Sequence, residues 1–243
     1  MRGLIIAVQF LTRLPTPQLS DFDPTEMPAA IRWFPAVGLI VGGIVAGTWW
    51  LGGLIDPWAA GLFGLAAWIM VTGALHLDGL ADLADALGAS HRDPDRLLAV
   101  MKDPHVGSFG VLALILQCAA KLVLLALLAS RIGPAPLVLV PALARIGPLG
   151  WTRWLPPLGS GMAERFAWAV RPADIAFWTT LAVLSWLFWP PLAVAAPLVI
   201  LWALWLKARL GGVSGDCHGA GIELIETGLL IALLIATALP HAT

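Results

Sequence analysis

The sequence predicts an all-α fold: a polytopic membrane bundle of about seven spans (six to eight), led by a short interfacial helix, in a single domain over 1–243. Three observations carry this. Hydrophobic residues make up 59% of the chain and charged residues only 12%, about half the charged share of a soluble domain, and mean hydropathy is +0.87. The apolar residues gather into runs of membrane-crossing length. Tryptophan is abundant and tyrosine absent, with Trp49, Trp50, Trp58, Trp151, Trp154 and Trp189 near the ends of those runs, as an aromatic belt requires.

Taken in order, Gly3 to Leu11 is apolar but too short to span, so it is expected at the interface or tucked into the bundle. Pro15 and Pro17 end it, and 20–28 reads as a polar, acidic loop. Met1 to Pro17 has no small-residue cleavage site and does not read as a signal peptide. The first span is 33–53, where Gly38, Gly42, Gly43 and Gly47 permit close helix contact. After the Asp56-Pro57 turn the second runs from Trp58 to about Leu75 and continues as an acidic helix capped near Gly88. A short helix follows, with Asp93 as cap and Pro94 at its first position. The remaining spans are 111–130, 137–155, 175–189, 192–206 and 222–239, punctuated by Gly133-Pro134, a polar loop over 156–172, Pro190-Pro191 and a Gly-rich loop over 207–221.

With seven spans, the segments 1–32, 76–108, 153–174 and 207–221 share one side. That side holds Arg2, Arg13, Arg32, Arg92, Arg96, Lys102, Arg153, Arg165, Arg171, Lys207 and Arg209, whereas the other holds only Arg131. The cation-rich side is expected to be cytoplasmic, so every polar motif is expected to face the cytoplasm. A net charge of −1 gives no field for nucleic acid. Cys118 and Cys217 are isolated and imply neither a disulfide framework nor a zinc site.

The stretch with most chemistry is His76-Leu77-Asp78-Gly79-Leu80-Ala81-Asp82-Leu83-Ala84-Asp85. On a helix, positions 78, 82 and 85 fall within an arc of about 60°, strung over roughly 10 Å. Like charges on one face repel, and a cation relieves this. Oxygen ligands without nearby Cys favour Mg²⁺ or Mn²⁺ over zinc. A solvated helix end would also carry acids, but the intervening residues are all apolar. His76 lies about 160° around a straight helix from Asp78. It shares that face only if Gly73 or Gly79 bends the chain; otherwise it is a base, an orienting partner or a buried histidine with a neighbour.

Two further segments lie on the same side. Met101-Lys102-Asp103-Pro104-His105-Val106-Gly107-Ser108-Phe109-Gly110 offers small residues and Lys102 to a phosphate, or is an ordinary loop entering the next span. Gly211 to Ala220 sets glycines, including Gly215, around Asp216 as a loop able to close on an anion or metal. Glu223 and Glu226 follow, as ligands or as acids favoured by the helix dipole. Lys121 and Arg145 sit inside spans, where charges need partners. Lys121 reads as an ion-pair partner, and Arg145 as able to reach phosphate or an Asp.

These residues resemble a known family. His76-x-Asp78-Gly79-x-x-Asp82-x-x-Asp85, Met101-Lys102-Asp103-x-His105-x-Gly107-x-Phe109-Gly110, Gly212-x-Ser214-Gly215-Asp216-x-x-Gly219-Ala220, the N-terminal Phe10-Leu11-Thr12-Arg13-Leu14-Pro15 and Trp33-Phe34-Pro35-x-x-Gly38 are similar to the cobalamin synthase family, over nearly the whole chain. Pro104 stands where that family more often has Ser, and Ala86 where Gly is frequent. The resemblance implies a Mg²⁺-dependent adenosylcobinamide-GDP ribazoletransferase. A ribose hydroxyl of α-ribazole, or of its 5′-phosphate, attacks the phosphorus on the cobinamide arm and GMP leaves. It implies Asp78, Asp82 and Asp85 as metal ligands, Asp82, Asp103 and Asp216 as catalytic residues, and Lys102, His105, Arg145 and Gly215 at the substrate, with His76 and Glu223 as further candidates. The lipid bilayer is the surrounding partner, and a homo-oligomer is compatible with this reading.

Two other classes compete. A CDP-alcohol phosphotransferase also holds metals on membrane helices, but its signature needs Ala-Arg after the Asp-Gly pair, where this chain has Leu-Ala-Asp. An ion-coupled transporter places acids near mid-membrane on broken helices, whereas these lie at an edge.

Overall fold

The computed structural model describes residues 2–238 apart from Ser20, Phe22, 91–93, Lys102, 160–161 and Trp168. Twelve α-helices occur among them: α1 (Arg2–Leu11), α2 (Phe34–Gly53), α3 (Pro57–Thr72), α4 (Leu75–Ala89), α5 (Pro94–Val100), α6 (Ser108–Leu128), α7 (Ala135–Ala144), α8 (Gly147–Trp154), α9 (Met162–Ala167), α10 (Pro172–Trp186), α11 (Ala195–Arg209) and α12 (Gly215–Ala238). The expected cap Asp93 and the expected phosphate ligand Lys102 lie outside the described residues.

Five stretches are long and apolar enough to cross a membrane: Thr25–Gly53, Ser108–Leu128, Ala135–Trp154, Pro190–Arg209 and Gly215–Ala238. The pair α3 and α4 makes a sixth if counted together, but it is bent by 86°. The expected span over 175–189 is α10, whose 15 residues extend only about 22 Å at helical rise, short of a bilayer core. The protein is thus an all-α integral membrane bundle.

Local chemistry explains the breaks. Part of the acidic loop before the first span is a 3-10 helix, Pro24–Trp33, started by Asp23, whose carboxylate accepts Thr25 N–H at 2.8 Å. Asp56 caps α3 by accepting from Trp58 and Ala59 N–H, so α2 and α3 form a hairpin. The span over 137–155 is two helices. Pro148 has no N–H to continue the ladder, and α7 stops at Arg145, whose guanidinium donates to Pro141 O at 2.9 Å. At Pro190 a 3-10 turn leads directly into α11.

Packing is close where side chains vanish. A Cβ on Gly38 would stand 2.5 Å from Ala142 Cα, and one on Gly42 would strike the Val138 backbone, so α2 lies directly on α7. Gly43 and Gly47 face open space and play no such part. Trp49 and Trp151, expected in the belt, are core residues instead, donating to Leu125 O and Val199 O. The N-terminal helix tucks in: Ile6, Ala7, Val8 and Leu11 are buried, and Phe10 packs with Phe34 and Phe166.

α6 and α12 run side by side with their N-termini at the same end, since Gln117 meets Glu223 and Lys121 meets Glu226. Between them lies a buried ion cluster. Lys121 Nζ is 2.7 Å from Glu223 and 2.6 Å from Glu226, and Arg145 donates to the other oxygen of Glu226 at 2.8 Å. Lys121 also sits 4.2 Å from the Trp68 ring centroid. The expectation that Lys121 is an ion-pair partner agrees with this geometry. Removing one member of a buried pair leaves the others uncompensated, at a cost of about 3 kcal/mol. Lys121→Met should therefore lower the thermal melting temperature of detergent-purified protein markedly, while Lys207→Met, at an exposed position, should leave it unchanged.

Candidate functional site

The site forms where α4 crosses the N-terminal ends of α6 and α12. Gly73 and Ala74 take left-handed backbone conformations, with φ of 59° and 60°. They turn the chain so that α4 lies across the bundle end instead of extending α3 outward. Gly79, the other expected hinge, stays helical. Its missing Cβ instead admits α12: an added one would be 2.9 Å from Asp216 Cα. At the next turn toward the bend, Gly219 lies against His76, with a Cβ there 3.2 Å from His76 O.

This crossing brings Asp216 to the acidic row. Asp78 is exposed, Asp82 half-buried and Asp85 buried, so the shared face predicted from spacing slides from open space to beneath α6. Burial, and then the charges of Asp78, Asp216 and Asp85, push the Asp82 carboxyl up from 3.8 to about 6. A carboxylate raised by its like-charged neighbours is a fit for a cation. Among the described residues, however, no three His, Cys, Asp or Glu side chains converge on one ligating point. The cluster is a set of acids in mutual repulsion, not a closed cage.

Asp85, expected as a metal ligand, is engaged otherwise. Its two oxygens accept Gly107 N–H at 2.7 Å and Gly110 N–H at 2.9 Å, so it caps the start of α6. Asp103, expected in catalysis, pairs outside the cluster. It accepts both the His105 backbone N–H at 3.0 Å and its ring Nδ1 at 2.6 Å, and the side-chain hydrogen bond holds its carboxyl below the usual range. Both side chains are largely exposed. Arg145, expected at phosphate, is completely buried on Glu226 and Pro141 O. Glu223 is buried on Lys121 and Gln117 and offers no open ligand position.

A cavity of about 150 Å³ opens beside the acids, its wall including His76, Asp78, Gly215, Asp216 and His218 along with Phe10 and Phe166. Gly215 lies at the start of α12 on the cavity wall. The sequence argument passed over His218, because one histidine among glycines forms no spacing pattern. In the fold it stacks on Trp151 and meets Thr152 Oγ1 through Nε2 at 3.2 Å. That hydroxyl donates to Pro148 O at 2.6 Å, so it accepts from His218, whose Nδ1 keeps its lone pair. His76 is almost fully buried, with Arg145 against its Nδ1 at 3.3 Å.

Comparison with known proteins shows the family. The Cobalamin-5-phosphate synthase family model matches residues 3–234. An adenosylcobinamide-GDP ribazoletransferase of Novosphingobium aromaticivorans is 55% identical over the full length of both chains. A protein of the same name from Laribacter hongkongensis is 58% identical, again over both full lengths. One from Thiobacillus denitrificans is 52% identical, covering 98% of this chain and 97% of its own. No solved structure matches the chain. From residue 3 to residue 234, this chain belongs to the Cobalamin-5-phosphate synthase family.

Proposed function

We propose that this protein joins adenosylcobinamide-GDP to α-ribazole, or to α-ribazole 5′-phosphate, giving adenosylcobalamin or its 5′-phosphate and releasing GMP. The observation that supports this, beside the family, is the meeting of α4 and α12: Asp78 and Asp216 share the wall of one cavity, and Asp82 lies near enough to both for their charges to raise its carboxyl. The transfer forms one P–O bond from the ribose hydroxyl to the phosphorus on the cobinamide arm. It breaks the P–O bond to GMP, and the hydroxyl loses its proton.

Asp78, Asp82 and Asp216 are the residues that would hold Mg²⁺, with Asp85 positioning the α6 end. The bound ion would supply charge neutralisation on the diphosphate. The protein's own contribution is to gather acids on two helices fixed by backbone contact and to exclude water with the Phe10, Phe34 and Phe166 wall. The cation-rich loops support a reading in which this end faces the cytoplasm, at an inner membrane. A transporter reading loses ground because the mid-span charges Lys121, Arg145, Glu223 and Glu226 are paired with one another.

Purified protein given adenosylcobinamide-GDP and α-ribazole should release GMP with Mg²⁺ and not without it; release unaffected by chelation would remove the metal from the scheme. Asp82→Asn should lower turnover by about a hundredfold or more, because several kcal/mol of charge stabilisation depend on the ion's ligands; normal activity with unchanged metal dependence excludes Asp82.

Protons and Mg²⁺ compete for Asp82. Its folded-state value lies above the ordinary 3.8, at about 6, so the metal-free folded protein holds an extra proton between those limits. The contribution of this group to stability is then greatest at the acid end of the window and declines as pH rises through it. Apparent Mg²⁺ affinity should climb over the same interval and level off above it. Calorimetric titration at several pH values reads this directly, and Asp82→Asn should flatten the dependence.

A further inference from the structure

We infer that His76 is a neutral histidine held in one tautomer, with its Nε2–H serving as the buried hydrogen-bond donor to a phosphoryl oxygen of the bound diphosphate. This rests on the transfer reading above and gives His76 a role opposite to that of a base.

The argument begins at Arg145. A guanidinium has donors only and stays protonated. Arg145 faces His76 Nδ1 at 3.3 Å, which is a hydrogen bond only if Nδ1 carries a lone pair. Protonation of both ring nitrogens would set N–H against N–H and cation against cation. The proton of the neutral ring is therefore on Nε2.

Arg145 cannot turn away. One of its terminal nitrogens donates to both Pro141 O and Glu226, and Glu226 is held in turn by Lys121. The cluster that neutralises mid-span charge thus also fixes the orientation of a side chain at the site. Arg145 is a positioning residue in this scheme.

Nε2 is buried and has no partner among the described residues. A buried N–H without an acceptor is rare in folded proteins. His76 nevertheless forms part of the cavity wall with Asp78 and Asp216, and Arg145, which occupies the Nδ1 edge, does not. The acids on that wall are acceptors and can orient a hydroxyl nucleophile. A phosphoryl oxygen needs donors, and among the described charged and imidazole side chains of the wall His76 is the one with a fixed, unused N–H. His218 presents the converse edge, a lone pair, because Thr152 takes its Nε2–H. The two histidines on that wall are therefore left with opposite unused groups, an N–H on His76 and a lone pair on His218.

Nitrogen-15 NMR of histidine-labelled protein in detergent tests the tautomer, with His76 assigned by its absence in His76→Gln. Nδ1 should be unprotonated and Nε2 protonated, and inorganic diphosphate with Mg²⁺ should move the Nε2 resonance. A proton on Nδ1, or an Nε2 signal indifferent to diphosphate, overturns the inference. In steady-state assays His76→Gln, which keeps an N–H near that position, should stay within about tenfold of the parent. His76→Leu should lose about a hundredfold or more, as when one oxyanion donor is deleted. Equal losses in both variants at unchanged melting temperature overturn it. Should His76→Leu fail to fold, the NMR readout on the parent protein decides alone. Absence of GMP release by the parent would sink the transfer reading without touching the tautomer.

Discussion

Four charges neutralise one another in the middle of an apolar bundle, and the rest of the structure depends on that closure. Lys121, Arg145, Glu223 and Glu226 come from α6, the end of α7 and α12. None could remain ionised there alone. Paired, they lock three helices in register, and α6 and α12 can then present their N-termini side by side at one end. Everything chemical is assembled on those two ends.

The crossing helix α4 exploits that platform. It bonds to the start of α6 through Asp85 and touches the start of α12 through Gly79. The acidic row is thereby split in function. Its buried end is a structural cap, and its open end joins Asp216 as a repelling group that a divalent cation would satisfy. Holding carboxylates together before a ligand arrives costs stability, and the backbone contact between α4 and α12 supplies the constraint that keeps them there.

Parts of this site were readable from residues alone. Three aspartates in an apolar helix announced a charged face at a membrane edge, and Gly73 was one of two named hinges. The Gly-rich loop was a weak signal by itself, yet it supplies both Asp216 and the glycines that let α12 approach. Other residues acquire in the fold partners that the sequence does not indicate. Asp85, Arg145 and Glu223 are of the right type for ligands or phosphate partners, but each found a partner on a distant segment, at separations of up to 106 residues. By helical angle alone His76 is remote from Asp78. The 86° turn before it and the packing of α12 brought it to the same cavity from another side.

By itself, the amino-acid sequence determined that this is an all-helical membrane protein, where its apolar runs begin and end, and which helix carries the acids. Those properties follow from composition and from the periodicity of a single helix, both local. The tertiary structure alone decided which charges neutralise each other, which carboxylates remain open and which histidine nitrogens find a partner. These are pairings between segments far apart in the chain, and helical spacing carries no information about which partner a buried charge will meet.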